Sequence, residues 1–184
     1  EGKEEIEIDL NESGGPLKAL EAQNIIQSDE ETKTQNNITS YLTVIPANQL
    51  SQIYEKYGDA LLESNVRVYM STTTKINRGI RQTIKDEPNM FFPYNNGISA
   101  TAESVNFKNG EITHIKNLQI VNGGQTTGTI VSSQYKIGQS DPSPLDGVYV
   151  QMKITVIESE APLLFQNVVQ NISRFANTQN TVKA

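Results

Sequence analysis

The alternation of hydrophobic and polar residues predicts several β-strands. It is clearest in "VYVQMKITVI", where every second residue is apolar, so one side of the strand would face the core. The apolar positions are Val148, Val150, Met152, Ile154 and Val156. "ITSYLTVI", which begins at Ile38, predicts another strand, and "EIEIDL" predicts an edge strand close to the amino terminus.

Apolar residues at helical spacing predict three amphipathic helices. The first begins at Pro46, a residue that suits the first turn of a helix, and Gly58 would end or interrupt it. The last is "PLLFQNVVQNISRFA". Its predicted apolar face comprises Leu164, Phe165, Val168, Val169, Ile172, Phe175 and Ala176.

The second predicted helix, "STTTKINRGIRQTIKDEP", has a cationic side. A Ser or Thr near its start would cap it, and Pro88 lies just past its end. At about 100° per residue, Ile76, Ile80 and Ile84 fall on one side. The other side carries Lys75, Arg78, Arg81 and Lys85. We interpret that side either as a solvated face or as a stripe that faces an anion.

Residues 91–121 predict a β-meander. "FFPYNNGISATAESVNF" offers a turn followed by a strand, and "EITHI" and "LQIV" are strand-like. The "KNG" segment predicts a hairpin turn, because Asn109 and Gly110 tolerate positive φ. A short helix that starts near Gln125 would then run to Lys136.

The order of these elements is mixed and lacks a strict β-α-β alternation. The sequence therefore predicts an α+β fold with a mixed, mainly antiparallel sheet packed against several helices. Residues 1–37 are weakly patterned, and "SDEETKTQNN" has the composition of an acidic, solvated loop. We expect residues 1–37 to form an N-terminal arm or the remnant of a preceding region, and residues 38–184 to form one domain.

The composition of the 184 residues excludes several kinds of chemistry. Cysteine is absent, which excludes disulfides, thiolate zinc sites and cysteine nucleophiles. The single histidine, His114, excludes a multi-histidine metal site, and its strand-like surroundings favour a surface or strand-pairing role. The net charge of −6 argues against a basic nucleic-acid binder, although it is compatible with a local basic patch. The apolar runs are too short for a membrane helix, so no membrane partner is expected.

Four short segments concentrate glycine, amide and hydroxyl groups. The glycines in "VNGGQTT" would let a ligand approach the backbone, and the first N–H groups of the following helix lack internal partners. These features predict a phosphate or carboxylate site, whereas the alternative interpretation is a tight strand-to-helix turn. The predicted ligand contacts are Asn77 and Arg78; Asn95, Asn96 and Gly97; Asn122, Gly123, Gly124, Gln125, Thr126 and Thr127; and Asn177, Gln179 and Asn180. We expect the four segments to converge in one polar pocket.

Six segments, in this order and at this spacing, resemble the AIPR family, the bacterial abortive-infection phage-resistance proteins. They are "LLESNVRVYM", "KINRGIRQTI", "PNMFFPYNNGISATAE", "LQIVNGGQTT", "VYVQMKITVI" and "ISRFANTQN". The resemblance covers Tyr41 to Val182 and adds Arg67 to the residues of the predicted site. Because family members usually continue beyond the NTQN motif, the resemblance implies that the domain is truncated at its C-terminus.

The resemblance implies a cytoplasmic role in bacterial defence, with a phage component as a conceivable trigger, but it assigns no reaction. The amide-rich and glycine-rich segments favour binding of a nucleotide or a nucleic-acid phosphate. A nuclease or NTP hydrolase that uses Mg²⁺ is the second hypothesis, although the four segments contain no paired carboxylates and no metal ligand is assigned. A protein-interaction scaffold is the third. Catalytic residues and the oligomeric state are left open.

Overall fold

The computed structural model describes residues 4–63, 75–136, 143–159 and 162–178. Within these residues the strands are β1 (Glu7–Asp9), β2 (Leu17–Asp29), β3 (Thr34–Pro46), β4 (Ile98–Ala102), β5 (Ser104–Lys108), β6 (Glu111–Lys116), β7 (Gln119–Asn122) and β8 (Tyr149–Ser159). The α-helices are α1 (Ala47–Tyr57), α2 (Lys75–Asp86), α3 (Phe91–Tyr94), α4 (Gly124–Lys136) and α5 (Pro162–Thr178).

The strands form one curled, mixed sheet in the order β1-β6-β2-β3-β8-β4-β7, and β5, which is outside this order, pairs with β6. The pairing between β4 and β8 is parallel, and the other pairings between these strands are antiparallel. This arrangement confirms the predicted α+β fold with a mainly antiparallel sheet. The division of the chain at residues 37 and 38 stays a prediction.

Strand β8 lies inside the sheet, between β3 and β4, and contributes to the main core. All five apolar residues that its alternation assigned to one face are buried, from Val148 to Val156. They pack with apolar residues of α1 and α4, including Leu50 and Ile130. Ile157 belongs instead to a second cluster with Val169 of α5. Because consecutive strand residues point to opposite faces, α5 covers the face of the sheet that α1 and α4 leave open.

The predicted helices are present in the described residues. Helix α1 begins directly after Pro46 and ends before Gly58, and α2 ends at Asp86, two residues before Pro88. The apolar face predicted for α5 is wrong at Phe175. Its side chain is 52% exposed. The guanidinium carbon of Arg174 lies 4.5 Å from the centre of its ring.

The hairpin turn predicted at Asn109 and Gly110 is confirmed, because their φ angles are 54° and 77°. The β-meander predicted for residues 91–121 is wrong, since of its consecutive strands only β5 and β6 pair with each other. Strand β4 pairs with β7 and β8, whereas β6 also pairs with β1 and β2. His114 lies in β6 opposite Asp9, with 3.6 Å between its Nε2 and Asp9 Oδ1, as expected for a strand-pairing residue.

The largest difference from the sequence-based expectation is β2. Residues 17–29 form a long strand, and β3 begins at Thr34. The acidic segment "SDEETKTQNN" is therefore not one loop, because it contains the end of β2, a short turn and the start of β3. Every β2 residue after Leu17 is at least partly exposed. A strand without a buried face has no reason to alternate, and its sequence therefore carries no period-two signal.

Among the described helices, none combines the length and the apolarity that crossing a bilayer requires.

Candidate functional site

Two of the four polar segments meet at one end of the sheet. Strand β4 starts directly after Asn95, Asn96 and Gly97, and β7 ends at Asn122. The two strands are antiparallel, and Ser99 of β4 is opposite Asn122. The start of an antiparallel strand lies beside the end of its neighbour, so strand pairing brings these segments together.

The glycines of these two segments allow the close approach. Gly123 has φ of +88°, and a Cβ atom there would lie 2.6 Å from Ile98 Cγ2 and 2.9 Å from the Gly97 carbonyl oxygen. Gly97 has φ of +80°, and a Cβ atom there would lie 2.3 Å from the carbonyl oxygen of Gln151 in β8. Both positions therefore exclude side chains for reasons of packing as well as backbone conformation.

The side chain of Asn95 links the turn before β4 to helix α4. Its Oδ1 accepts a hydrogen bond of 2.7 Å from the Gly97 backbone N–H, and its Nδ2 donates one of 3.4 Å to Thr126 Oγ1. An Asn that bonds the backbone two residues further on is a common way to build a turn. Asn95 thus fixes this turn relative to the start of α4.

Helix α4 begins without a side-chain cap. The residue before it is Gly123, whose carbonyl oxygen accepts the first intrahelical bond, 3.0 Å long, from the Thr127 N–H. The N–H groups of Gly124, Gln125 and Thr126 precede that bond and have no acceptor within the helix. The Thr127 hydroxyl is buried and donates to the Gly123 carbonyl oxygen at 3.1 Å, so it strengthens the first turn locally.

The third polar segment lies on α2, which packs against α4. The predicted apolar side of α2 is confirmed at Ile80 and Ile84, which are buried in the main core. Its cationic side is less uniform than expected. Arg78 is exposed, whereas Arg81 is half-buried, and its Nε is shielded from solvent with no hydrogen-bond acceptor in the described parts of the chain. Arg81 therefore belongs to the packed side of α2 as much as to a solvated face.

The sequence from Leu62 to the last residue, which includes all four polar segments, matches a known family. Residues 62–184 match the family model described as AIPR protein. The chain belongs to the AIPR family. Membership supports a role in abortive-infection resistance to phage. No curated protein and no solved structure matches the chain.

The AIPR chain's fourth segment, NTQN, is described only in part. Helix α5 includes Asn177, and one turn earlier Ser173 Oγ donates a 3.4 Å hydrogen bond to the carbonyl oxygen of Val121 in β7. This contact joins α5 to the residue before Asn122. Gln179, Asn180 and Arg67 lie outside the described residues. Convergence of all four segments therefore stays a prediction.

The residues that leave no room for a side chain at Gly97 and Gly123 could not be predicted from the local sequence. Ile98 and Gln151 determine why Gly123 and Gly97 lack side chains, but they belong to strands that come together only through sheet pairing. The described residues contain no group of three Asp, Glu or His side chains that could hold a metal ion. The geometry assigns no catalytic residue.

We expect Gly123→Ala to destabilise the AIPR domain by roughly 1–3 kcal/mol, because the new methyl group overpacks the contact with Ile98. The nearest atom is a side-chain methyl, which Ile98→Ala removes. A double-mutant cycle measured by urea unfolding should therefore show a favourable coupling between the two substitutions. If the losses of unfolding free energy in the two single variants simply add up in the double variant, the proposed contact between Gly123 and Ile98 would be contradicted.

Proposed function

We propose that this AIPR-family chain acts in phage defence by binding a phosphate group of a nucleotide or nucleic acid at the start of α4. We call this region the α4 site. Its described members are Asn77, Arg78, Asn95, Asn96, Gly97, Asn122, Gly123, Gly124, Gln125, Thr126 and Thr127. Arg67, Asn177, Gln179 and Asn180 complete it in the proposal.

The observation that carries the proposal is the glycine-capped start of a 13-residue helix. A helix of this length has a partial positive charge at its N-terminus, and its first N–H groups point toward an approaching anion. Gly123 offers no side chain that would occupy those donors. Gly123 and Gln125 are only partly buried, so solvent reaches the helix start at these two residues, whereas Gly124 and Thr126 are buried.

Neutral donors surround the helix start. The side chain of Asn96 is exposed, and Asn122 and Gln125 are half-buried. Amide groups can contact phosphate and sugar oxygens while carrying no charge of their own. Their planar NH₂ groups donate in fixed directions, whereas a lysine would supply a point charge on a flexible stem.

Helix α2 supplies the cations. Arg78 is exposed on the helix that packs against α4, and the shielded Nε of Arg81 lacks an acceptor in the described residues. A buried donor without an acceptor costs about 1–3 kcal/mol, so an anion that reached Arg81 would recover part of that cost. On a chain with a net charge of −6, such local cations are needed to attract a polyanion.

The α4 site contains no acidic residue. Hydrolysis assisted by Mg²⁺ would need carboxylate or other oxygen ligands to hold the ion beside the phosphate. We therefore favour binding over the nuclease or NTP hydrolase alternative. In this proposal the chain acts in the bacterial cytoplasm, and a phage component triggers the response.

The test is a titration of a labelled DNA duplex and a labelled nucleotide at two salt concentrations. We expect binding to at least one ligand, with affinity that falls as salt rises because phosphate contacts release counterions. If neither ligand shows salt-dependent binding, the α4 site does not bind phosphate, and the protein-interaction scaffold becomes the leading hypothesis.

Arg78→Ala should weaken binding while leaving the fold intact. The side chain is exposed, and surface substitutions usually change stability by no more than about 0.5 kcal/mol. Each lost phosphate contact should reduce the salt slope by roughly 0.9 on double-stranded DNA. Lys108→Ala, on the β5–β6 hairpin, removes the same charge from an exposed position and should retain the slope. Equal losses in the two variants would point to net charge instead of the α4 site.

A further inference from the structure

Strand β2 has a long unpaired edge. One edge pairs with β3 from Ala19 to Asp29, but the other pairs with β6 only at Leu17 and Lys18. Beyond Lys18, that second edge has no partner strand among the residues that the structure describes. Over these eleven residues, about every second one directs its backbone N–H and C=O away from β3, and these groups make a template for another strand.

The other outer strands of the described sheet are protected. Strand β1 has three residues, of which Glu7 and Asp9 are acidic. Strand β5 is five residues long and ends at Lys108. Strand β7 forms a parallel bridge from Ile120 to Leu62 on its outer side. Short length, charge and covering are the usual defences against edge-to-edge pairing, and β2 is the exception here.

The outer half of β2 lacks these defences. A bulge interrupts its pairing between Glu21 and Gln23, and after it the residues from Gln23 to Ser28 include neither a charge nor a proline. Ile25 and Ile26 are 42% and 64% exposed, and as consecutive strand residues they project from opposite faces. A strand placed alongside would cover apolar surface on both faces as well as the backbone edge.

We propose that the segment Gln23–Asp29, the β2 edge segment, pairs antiparallel with the same segment of a second copy of this chain. The two-fold axis passes between the Ile26 residues of the two copies, which face each other. The two sheets then continue into each other across an isologous interface. This inference concerns a surface that is separate in sequence from the α4 site and does not depend on phosphate binding.

The second copy is the occupant because the β2 edge segment is complementary to itself. In this register Asn24 faces Ser28, Ile25 faces Gln27, and Gln23 faces Asp29 of the other copy. Asp29 is the only charged residue of the segment, so no like charges stand opposite each other. The polar pairs contain hydrogen-bonding groups on both sides, and the apolar contact is centred on the most exposed isoleucine of the strand.

The first test is cross-linking of Ile26→Cys, which is clean because the chain has no other cysteine. Directly opposed residues of an antiparallel pair have Cα atoms about 4.5–5.5 Å apart, which a disulfide can span. Mild oxidation of the 184-residue chain should give mainly covalent dimer. Leu163→Cys is the control, because Leu163 is 76% exposed on α5 and should cross-link only through random collisions. Equal yields from the two variants would overturn the proposal.

The second test is the mass of the chain in solution across a concentration series, by sedimentation equilibrium. The wild type should form a dimer, and Ile26→Lys should raise the dissociation constant at least about tenfold, because it places two ammonium groups opposite each other. Leu163→Lys should leave the constant unchanged. A wild type that stays monomeric throughout, or an Ile26→Lys dimer of unchanged affinity, would show that the β2 edge segment does not join two copies.

Discussion

Gly97→Ala should destabilise the domain by roughly 2–5 kcal/mol, the largest effect that we expect from adding a single methyl group. A Cβ atom at Gly97 would lie 2.3 Å from the backbone oxygen of Gln151. Because that oxygen belongs to the central strand β8, it cannot move without disturbing the parallel pairing of β4 with β8. The positive φ of Gly97 adds a conformational cost of about 1–2 kcal/mol for alanine.

The matched control is Gly110→Ala. Gly110 also has a positive φ, at 77°, but no atom lies within 4 Å of a Cβ built there. The free energy of unfolding of the control variant should therefore fall only by the conformational cost of a positive φ, about 1–2 kcal/mol. Urea unfolding followed by circular dichroism would measure both. Losses of similar size in the two variants would mean that the contact between Gly97 and Gln151 is not tight.

Leu62→Ala should cost roughly 2–5 kcal/mol, because it leaves a cavity in the main core. Leu62 is 1% exposed and forms a parallel bridge with Ile120, and the Glu63 N–H donates a 3.0 Å bond to the Ile120 carbonyl oxygen. These contacts fix the chain against β7, which leads into the α4 site. This loss of stability should lower the urea midpoint and leave unchanged the slope of the unfolding free energy against urea concentration.

The control for this prediction removes the same side chain from the surface. Leu163 is 76% exposed in the first turn of α5, so Leu163→Ala should change stability by no more than about 0.5 kcal/mol. A Leu62→Ala variant as stable as the control would show that Leu62 is not buried in solution.

The stability predictions change how variants of the family motifs should be interpreted. Gly97 and Gly123 lie in the motifs NNGI and IVNGGQTT. Each also lies at a position where a neighbouring strand leaves no room for a Cβ atom. Loss of phage resistance in a glycine variant would therefore follow from misfolding as readily as from lost binding. Arg78 separates the two explanations, because it is exposed and its removal should spare the fold.

The sequence by itself determined the elements that have one buried face. The alternation from Val148 to Val156 identified β8, because each apolar residue in it is buried. Helix α1 was found between Pro46 and Gly58 because both residues act on the local backbone. The turn at Asn109 and Gly110 was found for the same local reason. The mixed order of these elements was enough to predict an α+β fold.

The motif content and the resemblance also located the strand-to-helix turn at Gly123 and Gly124. The structure adds that β4 and β7 bring this turn beside Gly97, and that Asn95 connects the two segments. The ligand roles of these residues stay a proposal. Their closeness follows from strand pairing between positions more than twenty residues apart, which a local pattern does not encode.

Only the tertiary structure decided the order of the strands, the existence of β2 and the partial burial of Arg81. Strand β2 is exposed on both faces, so it is held by its backbone bonds to β3 and leaves no hydrophobic period in the sequence. Arg81 lies on the polar side of α2 by periodicity, yet its Nε is shielded from solvent in the folded chain. Periodicity records which residues of an isolated element are apolar. Which element packs against it depends on contacts between distant parts of the chain. Those contacts bring the turn before β4 beside the start of α4, and among the described residues they leave most of one β2 edge without a partner strand.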